Sequence, residues 1–99
     1  PAVFRFTYDA DPEKHIKAAE LLKGGVIGNS SPESLPHELI KLMKEVGVPT
    51  GIKELGYVKE DIPEIIKGAM KQQRLLAIAP KNVSENDLNQ ILFQSMENW

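Results

Sequence analysis

The chain has 99 residues, 41% of them hydrophobic and 26% charged, with a net charge of −2 and no cysteine. That length allows one domain, and the ordinary globular composition argues against disorder. The charge argues against a nucleic-acid or anionic-membrane partner held by bulk electrostatics, and the missing thiols exclude disulfides, thiolate zinc sites and a cysteine nucleophile.

Residues 1–8 are ambiguous by pattern. Phe4, Phe6 and Tyr8 alternate with Arg5 and Thr7, as in a short strand, yet one strand among helices would have nothing to pair with. The run starts inside an apolar stretch with no start signal, so the beginning reads as cut. PAVFRFTYDAD has neither the basic leader nor the long apolar core of a targeting peptide. No apolar run approaches the roughly 20 residues of a membrane span.

Four segments then show helical period. The first, 12–23, opens on Asp11-Pro12, a favoured N-cap followed by a proline where its missing N–H costs nothing. Ile16, Ala19 and Leu22 form its stripe, and Gly24-Gly25 end it. The second, 33–46, carries Leu35, Leu39, Leu42, Met43 and Val46 on one face, with Pro36 in its first turn and Gly47 and Pro49 at its close. Residues 50–56 add one short turn. The third, 60–71, puts Ile62, Ile65, Ile66, Ala69 and Met70 on a face, acids at its start and Lys67, Lys71 and Arg74 toward its end. The last, 85–97, follows the capping-box-like Ser84-Glu85-Asn86-Asp87 and carries Leu88, Ile91, Leu92 and Met96, with Trp99 packing its end. These elements predict an all-α fold, a small helical bundle in a single domain over 1–99.

No catalytic constellation emerges. His15 and His37 are the only histidines, too few for a three-histidine metal site, and each reads as a surface or interface residue. Glu60, Asp61 and Glu64 resemble paired carboxylates but sit where acids stabilise a helix start. Gly24, Gly25 and Gly28 match no phosphate-loop spacing and read as a helix stop. Ser30, Ser31 and Ser34 lack a nucleophile context. Met43, Met70 and Met96 read as core.

Taken together, four phrases in register carry a resemblance: PAVFRFT with PEKHIKAAELL, LGYVKEDIPEIIKGAM, and LAIAPKNVSENDLNQILFQSM. Their order and spacing resemble the C-terminal helical region of iron-containing alcohol dehydrogenases, most closely the hydroxyacid–oxoacid transhydrogenases. The likeness spans nearly the whole chain and is weakest over residues 23–32. It implies that residues 1–7 are the tail of a truncated helix rather than a strand. It also implies that iron (or another divalent metal) and NAD(P) are bound upstream of Pro1, so the chain itself holds no catalytic, cofactor or metal residue. His15 matches a family histidine that is not a metal ligand.

Two roles follow as expectations. The chain is a C-terminal fragment or split chain of an oxidoreductase acting on 4-hydroxybutyrate and 2-oxoglutarate, incompetent alone. Alternatively, it is a non-catalytic remnant serving as a structural or interaction subunit. An unrelated helical module with an accidental likeness is the third, weaker reading. A missing domain or second chain packed on the helical face is the expected partner. The resemblance implies the mitochondrial matrix for a eukaryotic source and the cytoplasm for a bacterial one.

Overall fold

Start and stop chemistry sets the boundaries of the chain's regular elements, and all of them are helical in the computed structural model of residues 1–99. Helix α1 spans Ala2–Thr7 and runs on into a 3-10 turn, Tyr8–Ala10. The ambiguity left by the strand-like alternation is resolved as helix, the state the family resemblance implied for residues 1–7, and the alternation has a physical reason. Phe4 and Tyr8 are one helical turn apart and both set ring edges against His15, at centroid distances of 6.1 and 5.9 Å. Phe6 lies under Lys81, whose ammonium is 4.4 Å from its ring centroid.

Helix α2 spans Pro12–Lys23, with the Asp11 carboxylate accepting the Lys14 N–H at 3.2 Å. Gly24 ends it at φ +75°, a left-handed conformation that glycine adopts without Cβ strain. Helix α3 spans Ser34–Val46 and stops the same way at Gly47. Two 3-10 turns follow where one was expected, Ile52–Leu55 and Lys59–Asp61. The second takes up the first residues of the segment predicted at 60–71, and α4 is confined to Ile62–Met70. The one-turn helix α5, Gln73–Leu76, has no counterpart in the sequence reading. Helix α6 spans Glu85–Ser95 behind a full capping box: Ser84 Oγ accepts the Asp87 N–H at 3.1 Å while Asp87 accepts the Ser84 N–H at 2.9 Å.

Helix α2 packs on α3 and α4 on α6, while α1 contacts both α3 and α6 and joins the two pairs. The result is a slab of 40 × 30 × 19 Å. Its buried apolar residues are few: Ala2, Ala19, Leu35, Ile62 and Met96, with Pro36 fully enclosed. Two of them are alanines, which let backbones approach closely but bury little surface.

Polar ties between distant segments supplement this small core. The Arg5 guanidinium grips both Glu33 carboxylate oxygens, one of them at 2.9 Å, and donates to Gln94 at 2.8 Å. Lys81 donates to the Phe6 carbonyl at 3.2 Å and to Asp9 at 2.8 Å. At the other end, residues 96–99 leave the helical path and pair with 50–53. Asn98 N–H donates to the Thr50 carbonyl at 2.9 Å, Lys53 N–H donates to the Met96 carbonyl at 3.2 Å, and the Thr50 hydroxyl donates to the Trp99 carbonyl at 2.9 Å. That departure is why α6 stops short of residue 97.

The stripes expected as core are mostly half-buried rather than enclosed. Of the α3 stripe only Leu35 is buried, beside Pro36 and Glu38 on the same helix, whereas Leu42 is 41% and Val46 64% exposed. Leu21, Leu22, Val26, Leu75, Ile78 and Phe93 are exposed as well. Trp99 does not pack the end of α6; it lies against the 50–53 segment, half-exposed, with the Lys44 ammonium 5.6 Å from its ring centroid. The accessible surface is 6710 Å², against roughly 5600 Å² for a monomer of this mass. A slab only 19 Å thick has one layer too few to cover its own apolar faces.

Candidate functional site

His15 is the most connected polar side chain among the candidates. It sits one turn into α2, where Nδ1 meets the Asp11 carbonyl at 2.8 Å and Nε2 meets the Thr7 hydroxyl at 2.9 Å. A carbonyl only accepts, so Nδ1 carries the hydrogen and Nε2 of the neutral ring accepts from Thr7. The Val3 carbonyl, 3.1 Å from the Thr7 hydroxyl, is that hydroxyl's other acceptor. This geometry ties α1 to α2 and leaves no ring nitrogen free for a metal.

His37 lies exposed in the first turn of α3, beside a polar groove of about 550 Å³ that also touches Lys23, Ser31, Glu38 and Lys41. It shares no hydrogen bond with the serines. Ser31 Oγ accepts the Glu33 N–H at 3.1 Å and Ser34 Oγ accepts the Ser31 N–H at 3.0 Å, so both hydroxyls stitch the turn before α3. Ser30 is exposed. Gly24 and Gly25 both donate to the Glu20 carbonyl, at 2.8 and 3.2 Å, and Gly28 lies in the following loop. The Asp61 carboxylate accepts the Val58 N–H at 2.8 Å; Glu60 and Glu64 are exposed on the surface near it. No three histidine, aspartate or glutamate side chains converge in a way that could hold a metal ion.

A second groove, about 600 Å³, runs between α4 and α6. Ile66 and Met70 supply apolar floor, Lys67 and Lys71 line the α4 side, and Glu85 and Asn89 line the α6 side. The sequence reading placed both lysines at a helix end and missed the groove, because the partner wall comes from a helix that begins only at Glu85. The local signal was present: Lys67 and Lys71 stand four apart, next to Ile66 and Met70, so charge and apolar surface share an edge of α4.

Three carboxylates are held below their ordinary range: Asp87 by its hydrogen bonds to Ser84 at the start of α6, and two others in ion pairs. Glu33 is held below the usual carboxylate range by its hydrogen bonds to Arg5, and the same pairing raises Arg5. Asp9 is lowered by its hydrogen bonds to Lys81. Both pairs brace α1 rather than face a groove with reactive neighbours.

Comparison with known proteins gives a consistent answer. The family model described as Fe-containing alcohol dehydrogenase family, C-terminal, matches residues 1–96. A probable mitochondrial hydroxyacid-oxoacid transhydrogenase of Dictyostelium discoideum is 37% identical over 100 residues, covering 97% of this chain and 18% of the relative. The mitochondrial hydroxyacid-oxoacid transhydrogenases of Bos taurus and Rattus norvegicus are 37% and 38% identical, each covering 98% of this chain and 22% and 21% of the relative. The chain thus spans about a fifth of the length of these relatives. No solved structure gives a significant match.

Proposed function

The chain belongs to the Fe-containing alcohol dehydrogenase family through that family's C-terminal region, and from this premise we propose that it is the helical scaffold of an iron-dependent, NAD-type oxidoreductase, incompetent without the remainder of the enzyme. The observation that carries the reading is the family match over residues 1–96. By likeness to the transhydrogenases, the reaction moves hydride from the hydroxyl-bearing carbon of 4-hydroxybutyrate to the keto carbon of 2-oxoglutarate.

The donor chemistry of this chain does not fit the iron. His15 has both ring nitrogens committed, His37 stands apart on the surface, and no acidic cluster joins either. The scaffold role therefore assigns the ligands and the nucleotide loops to polypeptide outside this chain. Its exposed apolar helix faces fit that role. The surface excess of roughly 1100 Å² is comparable to the roughly 800 Å² per partner of a stable interface. The covering partner is the rest of the enzyme, in the same polypeptide or as a second chain. For a eukaryotic source the compartment is mitochondrial, as the relatives' names state for them. No helix is long and apolar enough to cross a membrane.

Calorimetry on the 99-residue chain tests the assignment. Injected NAD and ferrous iron should give no saturable heat. Saturable micromolar binding of either would contradict a scaffold that leaves both sites to other polypeptide.

A further inference from the structure

The buried polar side chains of this chain are Thr7, Glu38 and Thr50. Two of them are fully engaged: Thr7 bonds His15 and the Val3 carbonyl, and Thr50 bonds both the carbonyl and the N–H of Trp99. Glu38 is the exception, 8% exposed with its carboxylate in no hydrogen bond or ion pair. Buried polar groups in folded proteins are nearly always partnered, and an unpaired buried carboxylate is destabilising. No side-chain oxygen or nitrogen is sealed off without a partner, so the Glu38 carboxylate keeps an opening, which is the groove it lines beside His37. Helix chemistry does not explain the residue. Glu38 is the fifth residue of α3, past the first turn where the dipole favours acids.

The chain supplies no cation to it. Lys23, at the edge of the groove, donates to the Val26 carbonyl at 3.1 Å, and Lys41 is exposed at the mouth without an ion pair. Of the two arginines, Arg5 grips Glu33 and Arg74 does not line the groove. We propose that Glu38 is a docking acid, receiving the guanidinium of an arginine in the polypeptide that completes the enzyme. The inference rests on the scaffold reading above, under which this chain is about a fifth of the whole. Arginine suits the position better than lysine. Its planar fork meets both carboxylate oxygens, and its weaker hydration lets it enter a buried site more readily. The same chemistry already operates in this groove, where Glu33 is gripped on both oxygens by Arg5 from 28 residues away. The lysines at the mouth are exposed, and water and salt screen their repulsion of an incoming cation.

The test places Glu38→Gln in the isolated chain and in the complete enzyme, this chain together with the polypeptide that holds the iron and nucleotide. Glutamine and glutamate have similar helix propensity, so the change reports on charge. In the isolated chain the urea midpoint should rise, because an unpaired buried charge is gone. In the complete enzyme thermal inactivation should become about tenfold faster, the loss of one charge-assisted pair. Glu45→Gln, exposed on the same helix, should do neither. A residue that only packs α3 would lower both stabilities, so the opposite signs identify docking. The probe for the cation is Nα-acetyl-arginine methylamide, titrated into the ¹⁵N-labelled isolated chain. It should shift amides of 37–41, its neutral citrulline analogue should bind roughly tenfold more weakly, and Glu38→Gln should erase that difference. A lowered urea midpoint in the isolated variant, or an equal response to the two probes, overturns the docking acid. So does a chain that responds to arginine while the complete enzyme is indifferent to Glu38→Gln, which would assign the groove to a free cation. The nicotinamide and iron calorimetry decides the scaffold reading separately.

Discussion

A Cβ built on Gly51 would lie 2.3 Å from the Met96 carbonyl oxygen and 2.5 Å from that of Ser95. Gly51 is extended, at φ 179°, so what it supplies is space and not an unusual conformation. Gly51→Ala should therefore prise residues 96–99 from 50–53 and cost about 2 kcal/mol or more, the scale of overpacking against rigid backbone. Gly25, with nothing within 4 Å of its Cβ position, is the matched control, and Gly25→Ala should change urea stability by less than about 0.5 kcal/mol. His15 makes a second prediction of this kind. His15→Ala removes the link between Thr7 and Asp11, and a loss of about 1–2 kcal/mol is expected from urea unfolding. Nothing in the local sequence around either residue marks these roles. Gly51 is legible only once Met96 is placed beside it, and His15 only once Thr7 and the two aromatic edges are.

Helix α1 shows how far the sequence reaches at the level of elements. Six residues cannot hold a helix alone in water, so α1 persists because Arg5 reaches Glu33 and Gln94 and Lys81 reaches Asp9. These partners are 28, 89 and 72 residues away, beyond any local pattern, and without them the aromatic alternation is ambiguous between strand and helix. The boundaries of α2 and α6 were legible because Asp11, Gly24 and Ser84 act through their immediate neighbours. Short α5 was not, since one turn carries no period. The cap gives a direct test: Ser84→Ala should destabilise the chain by about 1 kcal/mol, the usual loss for an N-cap serine. The α1 braces predict a pH dependence. Glu33 and Asp9 are lowered from their usual 4.5 and 3.8, so the unfolded chain binds these protons more readily than the fold does. Their contribution is present above those values and is lost as pH falls through the lowered ones. Thermal midpoints should decline on acidification below about pH 4.5, and Arg5→Met should flatten that decline. Because Glu33 and Asp9 are largely solvent-exposed, the effect should be modest and weaken with salt.

As a whole molecule the chain is a thin plate whose apolar stripes are only half used. The sequence showed those stripes and the family resemblance. It could not show that Leu42, Val46 and Trp99 stay open, because a periodic face reads the same whether its cover comes from within the chain or from elsewhere. The radius of gyration, 14.4 Å, exceeds the roughly 12.6 Å of a 99-residue globule, in keeping with the flat shape and the exposed stripes. The isolated chain should consequently self-associate at micromolar to millimolar concentration, seen as a concentration-dependent mass in sedimentation equilibrium. A strictly monomeric chain would mean that the exposed faces need no cover. The central claim, that these helices complete a family oxidoreductase, is tested most directly by grafting. Residues 1–96 should replace the matching segment of the Dictyostelium discoideum relative, and hydride transfer from 4-hydroxybutyrate to 2-oxoglutarate should be measured. The account predicts a folded chimera that turns over both acids. A soluble chimera that still binds nicotinamide and metal yet transfers no hydride would contradict it.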